Sequence, residues 1–367
     1  MLPKIGIILI NYKDYAKRFL TDCRDGLRIL DYPKDKYIVY IVDNATSPET
    51  QVYLKEMYPE AVIISNQKNS GWGGGNNLGI EQSFQDGCED IILANMDVII
   101  DKDWLKELVI AAYSDSKIGI VQSKLLLWPI GADGVQKINS LGNEIHFLGF
   151  GYCRGYGQID DERQGLTSFQ VRSDLGLVSD IPYASGASMY VKGEVFKKIG
   201  LCNPEFFMYH DDFEICLKAK LAGYRVVLAP QSIIWHKYEF GRSVRQIYFM
   251  ERNRLITVLE FYKWPTLILL TPAFLVMELG LLLSSLVGHY AKPKIRSWLY
   301  FLRLDSWKKI LIERHKIQSS RQLSDKQLMN DFTGRILFQE VSNPILDYLV
   351  NPVFNAYWQV AKRLIFW

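Results

Sequence analysis

Residues 38–48, IVYIVDNATSP, carry the reading of the fold. Five successive β-branched or aromatic residues, Ile38 to Val42, leave no polar side for water, so they read as a strand covered on both faces. The run ends at Asp43 and Asn44, and a helical span over 48–57 follows. Similar short runs occur at 5–10, 62–64, 91–94 and 118–121, separated by helical spans at 14–30, 74–85 and 103–113. This is βαβ repetition, which predicts an α/β fold with a mostly parallel sheet. Such sheets bind ligands beyond the carboxyl ends of their strands. The polar residues at those ends are Asn11, then Asp43 and Asn44, then Asn66 and Asn69, then Asn95 and Asp97.

The chain has 367 residues, 49% hydrophobic and 23% charged, enough for one large α/β domain and an appendage. A formal charge of +3 is too small for a nucleic-acid binder, which needs a dense basic stripe. The five cysteines are scattered and show no CxxC spacing, so neither a disulfide framework nor a zinc site is expected, and a reducing compartment fits. The apolar stretch 5–10 is too short for the core of a signal peptide.

The segment NSGWGGGNN, Asn69 to Asn77, reads as a strand-to-helix loop at the ligand edge, where glycines let backbone approach a bound group and helix-start N–H groups attract phosphate. A plain flexible turn is the alternative. A dinucleotide fingerprint is absent: counted from Gly71, the sixth position is Asn76, and the cluster follows the third strand. A second cluster lies in residues 205–237, EFFMYHDDFEICLKAKLAGYRVVLAPQSIIWHK. Asp211 and Asp212 open a helix with buried positions at Phe213, Cys216, Leu217 and Leu221, Gly223 stops it, and a returning strand leads to His236. An ordinary N-cap explains the acids equally well in isolation. With Asp97 and Asp212 as partners in one crevice, a carboxylate and an imidazole completed by phosphate oxygens suit Mg²⁺ or Mn²⁺.

Taken in order, VDNATSP, NSGWGGGNNLGI, the Asn95–Asp97 triplet and FFMYHDDFEICLKAKLAGYRVV followed by WH resemble the inverting family 2 glycosyltransferases of GT-A fold, rhamnosyltransferase-like branch, over about residues 4–255. The resemblance implies a Rossmann-like, mostly parallel sheet flanked by helices. It places Asp43 on the nucleotide base, and puts Asn11 and the loop bearing Asn69, Gly73, Gly74 and Asn76 along the nucleotide sugar, with Asn95 and Asp211 beside it. Asp97 stands for the last acid of the metal motif, His236 for a histidine that joins the metal in some members, and Asp212 for the catalytic base. Asn95 replaces the first acid of that motif, and Asp211 replaces the usual Glu. The implied donor is a nucleoside diphosphate sugar, with dTDP-rhamnose the branch's suggestion, and the acceptor a lipid-linked glycan or polysaccharide. The chemistry asks for these residue types: a cation stabilises the leaving diphosphate, and a carboxylate across the sugar accepts the acceptor's proton. Two other readings compete: a polyprenyl-phosphate sugar synthase, which needs no base, and a silent GT-A subunit that binds nucleotide.

Residues 140–165 read as a loop or β-hairpin at the crevice, and 183–200 as a strand and short helix flanking the acceptor site. Catalytic residues are expected within 1–240, with the nucleotide-sugar half at about 1–125 and the acceptor half at about 126–240, followed by a helical region at 241–367. There, Arg242, Arg245, Arg252 and Arg254 lie on an amphipathic helix and residues 264–288 are almost wholly apolar, long enough to cross a bilayer. Pro272 and Glu278 inside that run, and cations on both flanks (Arg252, Arg254, Lys263, then Lys292, Lys294, Arg296, Lys308, Lys309), favour interfacial helices or a shallow hairpin on the anionic cytoplasmic leaflet, monotopic or peripheral. The tail at 356–367 reads as another interfacial helix. A buried helical pair or a homo-oligomer contact is the alternative use of that surface.

Overall fold

The structure, a computed structural model, describes residues 2–131, 134–160, 177–238, 246–337 and 344–367. Strands β1 (Ile5–Asn11), β2 (Tyr37–Asn44), β3 (Val62–Asn66) and β4 (Asp90–Ala94) lie parallel in the order β3-β2-β1-β4. Alternate residues enter two separate cores: Ile8, Tyr40, Val42, Ile91 and Leu93 on one face, Ile7, Leu9, Val39, Ile41 and Ile92 on the other. Both faces of β1, β2 and β4 being buried, these strands carry continuous apolar runs, whereas β3 lies at the edge and is more exposed. Helices α1 (Tyr15–Arg28), α2 (Pro48–Met57), α3 (Gly71–Gln85) and α4 (Trp104–Tyr113) connect and flank this half. At the start of α2, Ser47 Oγ accepts from Thr50 N while Thr50 Oγ1 accepts from Ser47 N, a reciprocal cap that sets where the helix begins after β2. The register pairs Asn11 with Asp43, Asp43 with Ser65 and Asn44 with Asn66, so the polar strand ends form one level edge.

The second half makes the sheet mixed. Strand β5 (Val98–Ile100) follows β4, β6 (Ile118–Leu127) follows α4, and β7 (Ile138–Ser140) pairs with β6. A hairpin of β8 (Asn143–Ile145) and β9 (Gly151–Cys153) fulfils the expectation for residues 140–165 as far as Asp160; the remainder lies outside the described residues. Then come β10 (Ser179–Asp180), β11 (Ser188–Lys192), α5 (Gly193–Ile199), α6 (Asp211–Leu221) and β12 (Arg225–His236). Strand β11 inserts antiparallel between β4 and β6, whereas β12 runs parallel to β6 with an irregularity between Ala229 and Ile233 where Pro230 lacks a donor. The end of β12 pairs with β5, placing His236 opposite Val98 and hence one residue from Asp97.

Beyond β12 the described residues are mostly helical: α7 (Ile247–Phe261), α8 (Trp264–Val287), α9 (Ala291–Leu299), α10 (Leu304–Ser320), α11 (Asp325–Leu328) and α12 (Asn351–Leu364). Helix α8 runs unbroken through Pro272 and is long and apolar enough to cross a membrane. It buries Thr266, Leu270, Ala273 and Met277 along one face, while Ile268, Leu275, Val276, Leu279, Leu283 and Leu286 stay exposed on the others.

One expectation is corrected here. Arg252, Arg254 and Lys294 do not face lipid; all three are buried. Arg254 pairs with Glu251 and with Glu278, and Lys294 with the same two acids. Trp298 Nε1 also donates to Glu278 Oε2 at 2.7 Å. The acid inside the apolar helix is thus matched by protein cations from α7 and α9, because a buried charge demands a partner. Arg242 and Arg245 lie outside the described residues.

Candidate active site

The level edge of β1 to β4 is knitted by amides and carboxylates. Asn11 Nδ2 donates to Asp43 Oδ1 at 2.7 Å, and its own Oδ1 accepts from Ala16 N at 2.8 Å, fixing the start of α1. Asp43 Oδ2 accepts from the hydroxyls of Thr46 and Thr50. Both Asn11 and Asp43 are fully buried, so as placed they hold the β1 and β2 loops together. Asn44 does the same for the next loop: its Nδ2 donates to Asn69 Oδ1 and the Gly71 carbonyl, and its Oδ1 accepts from Asn66 Nδ2 and Ser70 N. Asn76 is buried and donates to the Trp72 carbonyl.

The glycine cluster is not a loop but the first turns of α3, which starts at Gly71, three residues before the expected position. Glycine disfavours a helix interior, so tertiary contacts must hold it there. Gly71 has φ +77°, and a Cβ on it would fall 1.9 Å from the Phe207 carbonyl oxygen; Trp72 N donates to that oxygen at 2.6 Å. A Cβ on Gly73 would come 2.4 Å from Asp211 Oδ1, and one on Gly79 would meet Ile8. These glycines are small so that the segment bearing Asp211 and strand β1 can pack on the helix. The expected conflict at Gly73 is therefore with protein. At Gly74 the neighbour is Ser70 of its own turn, and the residue is half-buried at the edge.

The paired acids diverge. Asp211 is 2% exposed, tucked under Gly73, with neither carboxyl oxygen meeting a hydrogen-bond donor. Burial first, then Asp212 and Glu214, push its carboxyl well above the ordinary range, in the direction of the neutral form. Asp212 keeps partial exposure. Its Oδ2 accepts from Gly186 N at 2.9 Å and its Oδ1 from Phe213 N at 2.8 Å. Burial raises its carboxyl too, against the pull of those backbone donors. The repulsion expected between the pair is felt at Asp211, and desolvation is the larger cause at both.

Gly186 links this acid to the rest of the edge. Its Cα faces the Trp72 ring, which an added Cβ would meet at 2.7 Å, and its neighbour Ala187 accepts through its carbonyl from Asn95 N at 3.2 Å. Two residues on, Asp97 Oδ1 lies 3.3 Å from His236 Nε2, both side chains buried. On its other side, His236 Nδ1 is 2.9 Å from Asn139 Oδ1, which fixes the plane of the ring. Asp212, Gly186, Asn95, Asp97 and His236 form one continuous path from the mouth of α6 to the end of β12.

Residues 5–125 match the family model described as glycosyl transferase family 2. Over that segment the chain is similar to a family 2 glycosyltransferase domain. This glycosyltransferase is 23% identical over 266 residues to the low-salt glycan biosynthesis hexosyltransferase of Haloferax volcanii, covering 70% of this chain and 76% of the relative. It is 25% identical over 243 residues to the dTDP-rhamnosyl transferase RfbF of Shigella flexneri, covering 64% and 70%. A crystal structure of GalNAc-T7 with UDP, GalNAc and Mn²⁺ superposes at a TM-score of 0.53 with 14% identity; 72% of this glycosyltransferase is matched, over about half, 49%, of that chain. The fold is GT-A.

Sequence reasoning missed the turn before the acids. Phe207, Tyr209 and His210 all have φ between 65° and 68°. Non-glycine residues in that region cost about 1–2 kcal/mol each, so the chain must be held there by other contacts. No glycine in 205–210 marks the turn, so the local sequence carries no signal for it.

Proposed function

We propose that this glycosyltransferase is an inverting enzyme that moves a sugar from a nucleoside diphosphate sugar, dTDP-rhamnose first among candidates, to a hydroxyl of a lipid-linked glycan or polysaccharide. The observation that carries this reading is Asp212: a half-exposed carboxylate oriented by Gly186 N and Phe213 N, on the same edge as Asn95 and Asp97. The acceptor oxygen attacks the anomeric carbon, the bond to the diphosphate breaks, and the acceptor's proton passes to Asp212. Gly74 at the edge and Trp72 against Gly186 would flank the donor, while Asn11, Asp43, Asn44, Asn69 and Asn76 hold the loops that receive it. The similarity to the dTDP-rhamnosyl transferase supports the choice of sugar.

Asp97 Oδ1 and His236 Nε2, 3.3 Å apart, are the donor types and spacing that would suit a divalent cation such as Mg²⁺ or Mn²⁺. No group of three His, Cys, Asp or Glu side chains assembles among the described residues, so phosphate oxygens and water would supply the other ligands. When bound, the ion would stabilise charge on the departing diphosphate. The test is a panel of dTDP-, GDP- and UDP-sugars, followed by release of the nucleoside diphosphate from each. We expect turnover with dTDP-rhamnose, lost in excess chelator. Asp97→Ala and His236→Ala should each raise the half-saturating Mn²⁺ concentration by roughly 10–100-fold, and weaken Mn²⁺ binding measured by spin resonance alike. Absence of turnover with every sugar would leave the silent-subunit reading standing.

The helical region is proposed to dock on an anionic leaflet at the cytoplasmic face. On α9, Lys292, Ile295, Arg296 and Leu299 are exposed at spacings of three and four, a mixed cationic and apolar face that continues through Leu302, Arg303 and Leu304. Such a stripe suits the headgroup boundary, where each cation contributes about 1 kcal/mol. The protein should co-sediment with phosphatidylglycerol vesicles and be released by salt. Equal retention on purely zwitterionic vesicles would contradict the charge argument, and a concentration-dependent dimer without lipid would favour self-association.

A further inference from the structure

Three residues of the turn at 205–210, Phe207, Tyr209 and His210, are left-handed, and the groups that hold the turn come chiefly from α7. Asn253 on α7 is fully buried, and its Nδ2 lies 3.0, 2.8 and 2.8 Å from the carbonyl oxygens of Phe206, Met208 and Tyr209. The orientation of its amide is set independently: Arg252 Nε donates to Asn253 Oδ1 at 2.9 Å, so the nitrogen must face the turn. The Arg252 Nη2 group adds bonds to the Glu205 and Phe206 carbonyls at 2.6 and 3.0 Å, and its guanidinium lies over the rings of Tyr248, Phe249 and Tyr300. The remaining carbonyl of the turn, on Phe207, is taken by Trp72 N of the glycine helix. Every carbonyl from Glu205 to Tyr209 thus has a donor from α7 or α3, and the chain then delivers Asp211 and Asp212 to the start of α6.

We propose that Asn253, oriented by Arg252, is a positioning residue for the transfer reaction: it fixes the strained 206–210 turn so that Asp212 presents its carboxylate beside Gly186 while Asp211 stays sealed under Gly73. This rests on the reading of Asp212 as the base. The partly buried carbonyls of Met208 and Tyr209 need that amide, whereas Phe206 keeps Arg252; without it the two lose their donor, and the turn's relaxation moves the first residues of α6, to which it is joined. Asn253 is fully buried and its side chain bonds to Arg252 and the turn, so its loss acts on orientation rather than on donor binding.

The test uses the full-length protein with the nucleotide sugar that the panel identifies. Asn253→Ala is expected to lower kcat roughly 10–100-fold, as for a displacement of the base by about 1 Å, with the donor KM changed less than threefold. Asn253→Asp, the same shape without the N–H donors, should lose as much, which separates hydrogen bonding from packing. Arg252→Lys keeps the cation but not the bond to Asn253 Oδ1, and should show a smaller loss in kcat, again at unchanged KM; it serves if the Asn253 variants do not fold. Hydrogen exchange provides a readout independent of turnover: amides of 206–213 should exchange faster in the variants while those of β1 to β4 do not. Wild-type kcat in folded Asn253→Asp, or unaltered exchange at 206–213, overturns the proposal. So does a kcat loss that only tracks the unfolded fraction. If the wild type turns over nothing, it is the proposed function that fails, and the exchange measurement still decides the clamp.

Discussion

Asp212→Asn is expected to reduce glycosyl transfer by roughly 10²–10⁴ while leaving nucleotide affinity within about twofold of the wild type. The amide keeps the shape of the carboxylate, and its oxygen can still accept from Gly186 N or Phe213 N, so the turn and α6 should stay in place. What it cannot do is take a proton. The same change relieves the buried pair of a charge, since Asp212 raises the Asp211 carboxyl, and thermal stability should not fall. In the wild type, burial holds the Asp212 carboxyl above its ordinary 3.8. Being an acid with a raised pKa, it is protonated and inactive at low pH and ionised above its shifted value. The acid limb of kcat against pH should therefore lie above 3.8, and Asp212→Asn should abolish that limb. Calorimetry with the nucleoside diphosphate and initial rates with the full donor measure the two halves separately. Near-normal transfer by Asp212→Asn would remove the base and favour a phosphate acceptor, which needs none.

The parts of this molecule that could be read in the sequence are those where local pattern and tertiary environment agree. The runs in β1, β2 and β4 are apolar on both faces because both faces are covered, and Pro48 opens α2 where its missing N–H costs nothing. The proximity of Asp97 and His236 was expected from their places at strand ends and from the resemblance, but the contact that makes it, His236 pairing with Val98 across 138 residues, has no local pattern. Three features opposed their local signal. Glycines 71, 73 and 75 are poor helix formers, yet they begin α3 because Phe207, Asp211 and Ile10 press on them. Antiparallel β11 sits inside a run of parallel strands through pairs such as Ser188 with Ala94, which no local pattern encodes. Arg252, Arg254 and Lys294 read as surface cations, because a single helix does not announce that its partners are carbonyls of 205–206 or acids on α7 and α8. Asn253 gave no signal at all: one asparagine in a helix looks like a weak helix former, and its value lies in a turn 44 to 47 residues away.

The second large effect is expected at Glu278. This acid joins three helices: it pairs with Arg254 of α7 and Lys294 of α9 and accepts from Trp298 Nε1, although it lies in the most apolar helix of the chain. Burial raises its carboxyl, but Arg254 and Lys294 more than offset that, and the net shift is downward. Glu251, facing the same two cations, is likewise raised by burial and then pulled below its ordinary 4.5, to about 2. Glu278→Ala leaves two buried cations with one acid, and Arg254 is 1% exposed, so water cannot take over as partner. Removing one member of a buried ion pair costs about 3–5 kcal/mol, whereas Glu278→Gln, which can still accept from Arg254, should cost less. Arg254 also donates to the Leu148 carbonyl at 3.1 Å, and His210 Nε2 lies 3.2 Å from the Gly149 carbonyl, so the disturbance reaches the start of α6. Unfolding of Glu278→Ala in denaturant should therefore come at a lower midpoint. Both acids have lowered pKa values, so their contribution is complete above about 4.5 and is lost as pH falls toward 2. The wild type should accordingly lose stability over that window more steeply than Glu278→Ala does, and parallel pH profiles for the two proteins would show that the four charges do not act together.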